Sequence, residues 1–73
     1  MKFRVLSFVQ NGTYCYNMLQ EPIVGKTYET DDDGYVLNMF AHAERIHDDI
    51  LWKPVCALIF KAEDFMCKVE FVR

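Results

Sequence analysis

The chain has a single serine, three glycines, two prolines and no long apolar run. Each scarcity removes a class of chemistry. Ser7 lies inside a strand-like stretch, so the sequence offers no Ser-His-Asp arrangement. The glycines at 12, 25 and 34 share no motif. Gly25-Lys26-Thr27 echoes the end of a phosphate-binding loop, but Gln20 stands where the upstream glycine would be. Positive charge is also thin. Eight basic residues are scattered singly, the formal net charge is −3 and the isoelectric point is about 5.2. Nucleic-acid binding needs a clustered positive surface, so no nucleic acid is expected as a partner.

Cysteine is sparse and oddly numbered: Cys15, Cys56 and Cys67. Small secreted domains carry dense, even sets, and zinc sites favour closely spaced pairs. Here each thiol sits in apolar sequence and reads as a small hydrophobe. A Cys56–Cys67 bridge across a C-terminal hairpin is geometrically open, but a reducing cytosol disfavours it. The longest purely apolar run is Val55 to Phe60, far short of the roughly 20 residues of a membrane span. Nothing resembles a secretory signal. A soluble, cytoplasmic protein with no membrane partner is expected.

What is present is bulk. Of 73 residues, 52% are apolar and 15% aromatic, enough for one folded domain over residues 1–73. A chain this short buries only about 60% of its unfolded surface. A dimer would add buried area.

Asn11-Gly12 is the strongest local signal. Both central residues of a type I′ turn need positive φ, and Asn-Gly supplies that. The arms Phe3–Val9 and Thr13–Leu19 are rich in β-branched and aromatic residues, so a hairpin is expected. Gln20-Glu21-Pro22 breaks the second arm. Gly25-Lys26 reads as a turn, and Lys26 to Thr30 as a short edge strand with Lys26, Tyr28 and Thr30 on one side. Asp31-Asp32-Asp33-Gly34 is a polar loop.

Val36, Met39/Phe40, Ala43, Ile46 and Ile50 recur at spacings of three and four, which predicts a helix. Asp33 could cap it from Gly34, or Asn38 from Met39, leaving Tyr35 to Leu37 extended. Both starts include Met39 to Asp48. Asp48 and Asp49 at its end oppose the helix dipole. Val55 to Phe60 reads as a central strand covered on both faces. Phe65, Cys67, Val69 and Phe71 then alternate inward in a last strand. The expected fold class is α+β: a small single domain with a four- to five-stranded, mostly antiparallel sheet and one helix packed on it (β-β-(β)-α-β-β).

Val24-Gly25-Lys26-Thr27-Tyr28-Glu29, then Gly34-Tyr35 with Ala41, Ala43 and Ile46, then Val55 to Phe60, carry a resemblance. Together they resemble small, uncharacterised accessory proteins of bacteriophages. Those read "Tyr-x-x-Gly-Lys-x-Tyr-Glu", then "Gly-Phe-His" opening a short helix, then a closing strand. About half of the chain is covered, by short and degenerate motifs. Val36 stands in place of the histidine, so no role of that residue carries over. The resemblance implies a phage origin and a factor that binds a host protein.

The best functional candidate among the residues themselves is acidic: Glu29, Asp31, Asp32 and Asp33. Three readings compete. They form a solvated loop with a helix cap, a surface for a basic partner, or a divalent-cation loop. The last lacks the EF-hand ligand pattern. His42 and His47, five apart, diverge by roughly 140° on a helix and suit no shared metal. They read as surface histidines. Leu6, Phe8, Tyr35, Leu51 and Trp52 exceed what one helix can cover, and a leftover exposed patch would mark an interface.

The expectation is therefore a non-enzymatic phage-type accessory protein without cofactor or metal. It would bind a host protein, for example a bacterial defence component, and inhibit or redirect it by steric or electrostatic occlusion. The contact would be made by Glu29, Asp31, Asp32 and Asp33, with Tyr35 and Trp52 as apolar anchors. Two alternatives stand beside it: a homo-oligomeric structural or accessory subunit, and a minimal ligand-binding or catalytic remnant.

Overall fold

The computed structural model describes residues 1–11, 21–55 and 64–73. Among these the chain forms β1 (Lys2–Asn11), β2 (Thr27–Glu29), β3 (Ala41–Ile46), β4 (Asp49–Pro54) and β5 (Asp64–Phe71). They make one sheet in the order β2-β1-β5-β4-β3, with every neighbouring pair antiparallel. The sheet curls into a half-barrel.

Strand directions decide how it closes. Each step across the sheet reverses direction, so the two edges, β2 and β3, run the same way. A segment antiparallel to both can join them, and residues 34–37 do so. Thr30 pairs with Val36, and Tyr35 with His42. On the β2 side Asp31 N–H donates to Tyr35 C=O (2.9 Å) and Leu37 N–H to Glu29 C=O (2.9 Å). On the β3 side Val36 N–H donates to Ala41 C=O (2.9 Å) and Ala43 N–H to Gly34 C=O (2.8 Å). Backbone groups that would be orphaned at two sheet edges are thereby paired.

The interior follows the period-two alternation of each strand. β1 contributes Phe3 and Val5, β4 contributes Ile50 and Trp52, and β5 contributes Phe65 and Cys67; all six are fully buried. A register shift between Val5 and Ser7 leaves Leu6 as an extra, outward residue and returns Phe8 to the inside. Trp52 is the centrepiece. Its ring meets Tyr28 edge-on at 4.8 Å and Phe3 at 6.4 Å between centroids. Ala43 lies opposite Trp52 and Ala41 opposite Pro54; their small side chains leave room for the indole.

The expected α+β fold is thus corrected to an all-β half-barrel. Residues 41–54 form a hairpin, not a helix. Ala41, Ala43, Ile50, Trp52 and Pro54 also satisfy a two-residue period, and that period wins because it delivers the indole to the core. Ile46 faces Asp49 across a two-residue loop, His47-Asp48, with His47 at φ 56. Asp49, a poor helix C-terminus, instead pairs with Lys68 at 3.1 Å. Asn38, expected as a cap, sits at φ 66 in the turn between Leu37 and Phe40.

The short strand read over Lys26 to Thr30 forms as β2 over Thr27–Glu29 alone, with Tyr28 and Thr30 buried but Lys26 exposed. The last strand keeps its alternation. Its neighbours are β1 and β4, so β5 is the central strand of the described sheet. Val55 lies beyond the end of β4, and residues 56–60 fall outside the described residues. The Thr13–Leu19 arm and the Gly12 turn also fall outside them. Cys67 is a free thiol, so it forms no bridge to Cys56. No described helix is long and apolar enough to cross a membrane.

Candidate interaction surface

The acidic stretch is a built turn. Asp31 Oδ1 accepts the backbone N–H of Asp33 (3.0 Å) and of Tyr35 (2.9 Å), while Gly34 N–H donates to Asp31 C=O (3.1 Å). This is the local bonding at which Asp excels, its carboxylate replacing a backbone acceptor. Asp31 therefore caps a turn and no helix. Gly34 completes it at φ +90, a region that L side chains rarely adopt.

His42 locks the turn to β3. Its Nε2 lies 2.9 Å from Asp33 C=O, and its ring meets Tyr35 edge-on at 5.1 Å. A Cβ on Gly34 would lie 2.7 Å from that Nε2, so a larger residue there would have to push the His42 ring aside as well as adopt the unfavourable φ. The structure thus brings Asp31, Asp32, Asp33 and Tyr35 together on one hydrogen-bonded corner. All three aspartates are exposed, and Tyr35 is 50% exposed. Glu29 lies at the end of β2, exposed and opposite Lys2.

Trp52 is not part of this corner. It is fully buried and anchors the core, so its place as a surface anchor is corrected. Other residues take that place. Val36, Ala41 and Pro54 point inward and are buried. Alternation then turns Leu37, Phe40 and Val55 outward as one row, with Val55 N–H donating to Phe40 C=O at 2.7 Å. Phe40 is 75% exposed, Leu37 and Val55 47% each. The adjacent outward row is Tyr35, His42 and Lys53. An apolar strip thus runs beside the acidic turn, with Lys53 at the other end of the row that Tyr35 begins.

Sequence reasoning missed Leu37, Phe40 and Val55 because a helix placed Phe40 on a buried face and a core strand enclosed Val55. Their signal was the alternation of Tyr35-Val36-Leu37 and Phe40-Ala41-His42. Of the apolar surplus, Leu6 and Tyr35 are exposed, Phe8 and Leu51 are half-buried, and Trp52 is inside.

Cys67 is the cysteine that lies among the described residues. Burial, reinforced by the Asp49 carboxylate, pushes the Cys67 thiol up to about 12, which leaves it protonated and inert at neutral pH. Burial also raises Tyr28, partly offset by the Ile23 N–H that its hydroxyl accepts at 3.0 Å. Among the described residues no three His, Cys, Asp or Glu side chains group to hold a metal ion. No family model, curated protein or solved structure matches the chain.

Proposed function

We propose that this chain is a small accessory protein of the bacteriophage type that binds a host protein in the cytoplasm and inhibits or redirects it. It acts by covering a surface, not by chemistry. The binding face is the acidic corner Asp31–Asp33 with Glu29, joined to Tyr35 and the strip Leu37, Phe40 and Val55. The observation that carries this reading is Phe40, a phenylalanine 75% exposed on a paired backbone. An aromatic ring exposed to water beside an apolar row resembles the anchor of a protein interface, and the carboxylates beside it favour a basic partner.

The test is capture from bacterial lysate by the immobilised chain, with identification of what is retained. The comparison is a variant carrying Asp32→Asn, Asp33→Asn and Phe40→Ser, none of which touches the core. The reading expects a partner held by the native chain and lost by the variant.

A homodimer is the second reading, favoured by the same strip, whose Lys53 and aspartate rims would meet in a two-fold arrangement. Sedimentation over a concentration series separates the two. A strict monomer removes the dimer.

A further inference from the structure

The outward strip carries an order of charge along its length. Leu37 N–H donates to Glu29 C=O, and Val55 N–H to Phe40 C=O. The bond from Val36 N–H to Ala41 C=O sets Leu37 beside Phe40. Glu29, Leu37, Phe40 and Val55 therefore form one row across the sheet. All four are exposed, while Tyr28, Val36, Ala41 and Pro54 beside them are buried. The next outward row runs from Tyr35 through His42 to Lys53. Asp31 N–H donates to Tyr35 C=O, which puts the acidic turn at the Tyr35 end. Both rows thus begin in carboxylates, and Lys53 stands at the opposite end.

Spacing decides what can lie on these rows. Side chains directly opposite one another across a sheet are about 5 Å apart, so Leu37, Phe40 and Val55 span about 10 Å. Same-face residues of an extended chain are about 7 Å apart and miss that step. Residues i, i+4 and i+7 of a helix span about 10 Å and match it. Successive outward rows also lie about 7 Å apart along a strand, so a helix about 10 Å wide reaches both. We infer that the occupant is one amphipathic helix of the partner protein, laid across the strands with three apolar residues on Leu37, Phe40 and Val55.

Charge completes the description of the occupant. One turn beyond the residue on Leu37, the helix reaches Glu29 and carries lysine or arginine there. Toward the Val55 end it passes Lys53 and carries glutamate or aspartate. This inference rests on the binding face proposed above and names the shape and chemistry of what binds it.

The test uses the full chain, labelled with nitrogen-15, and the helical peptide Ac-Glu-Ala-Gln-Ala-Leu-Ala-Gln-Ala-Leu-Gln-Ala-Leu-Ala-Gln-Ala-Lys-NH2 as probe. Amide shifts are followed to about 5 mM, since a contact this small binds in the millimolar range. The expected result is saturable shifts centred on Leu37, Phe40 and Val55. Proline in place of the alanine before the central leucine breaks the helix and should weaken binding at least roughly tenfold. Exchanging the peptide lysine for glutamate should weaken it about threefold at low salt, and Glu29→Lys in the chain should restore the loss. If that variant does not fold, Glu29→Gln replaces it and should weaken binding of the lysine peptide only. No saturable shift at these amides, or equal binding of the proline peptide, overturns the inference. Concentration-dependent shifts of the same amides without peptide assign the strip to a second copy and also overturn it. The capture experiment above tells this failure from failure of the face. A partner lost with Phe40→Ser keeps the face for another occupant, whereas a partner held equally by both chains removes the face itself.

Discussion

His42 and Gly34 sit so close that a side chain on Gly34 would displace the His42 ring: a Cβ there would reach 2.7 Å from His42 Nε2 and 3.2 Å from Ala43 C=O. The backbone at Gly34 is also left-handed. Gly34→Ala should therefore destabilise the fold by about 1–3 kcal/mol, read from the denaturant midpoint. In a double-mutant cycle with His42→Ala, part of that cost should return, because the ring is removed but the φ penalty remains. Full additivity would show that the two residues do not share this space.

Asp31 separates charge from geometry. Its Oδ1 holds two backbone N–H groups, which an asparagine oxygen can also accept. Asp31→Asn should leave stability nearly unchanged, whereas Asp31→Ala should cost about 0.5–1.5 kcal/mol. Asp32→Asn and Asp33→Asn, whose side chains are exposed, should shift stability by less than about 0.5 kcal/mol. Chemical denaturation of the four variants checks the order.

Trp52 is the core residue with most to lose. Trp52→Ala should cost about 3–5 kcal/mol, enough to unfold much of a domain this small. Phe40→Ser, on an exposed ring, should cost less than about 1 kcal/mol by the same measurement. The contrast between the two aromatic residues is a direct test of the all-β register.

Alkaline pH should weaken the fold through Cys67. Its thiol has an ordinary value of 9.0 and is pushed up to about 12 by burial and by Asp49. Between those values the folded chain holds a proton that the unfolded chain has released, so stability falls as pH rises from about 9 toward 12. At about 1.36 kcal/mol per unit the loss is on the order of 4 kcal/mol. Tyr28, raised from 10.0, acts in the same direction. Thermal melts from pH 7 to 11 check the slope, and Cys67→Ala should flatten it. At pH 8 the native thiol should resist alkylation until the chain unfolds.

Legibility in the sequence tracked how many periods a stretch could satisfy. In β5, Phe65, Cys67, Val69 and Phe71 fit only a two-residue repeat, and that strand formed as read, with its partners reassigned. At β2, turn residues on both sides confined Tyr28 to a short edge. The stretch from Val36 to Ile50 fitted both helical and strand repeats, because Ala41, Ala43, Ile46 and Ile50 serve either. What separated them was Trp52, whose burial needs the hairpin and whose place a local pattern cannot reveal. The acidic corner was visible as composition. Its coupling to His42 was not, since that contact depends on residues 34–37 bridging two parallel edges, a relation set by the topology of the whole sheet.

The measurement closest to the central claim is the affinity of a captured, purified partner for three forms of the chain. These are the native protein, Asp32→Asn/Asp33→Asn/Phe40→Ser, and Val9→Ser, which alters an exposed apolar residue of β1 (67% exposed). The account predicts at least a roughly tenfold loss for the triple variant, about 1.4 kcal/mol, with Val9→Ser binding like the native chain and all three equally folded. Equal affinity of the triple variant and the native chain would contradict it.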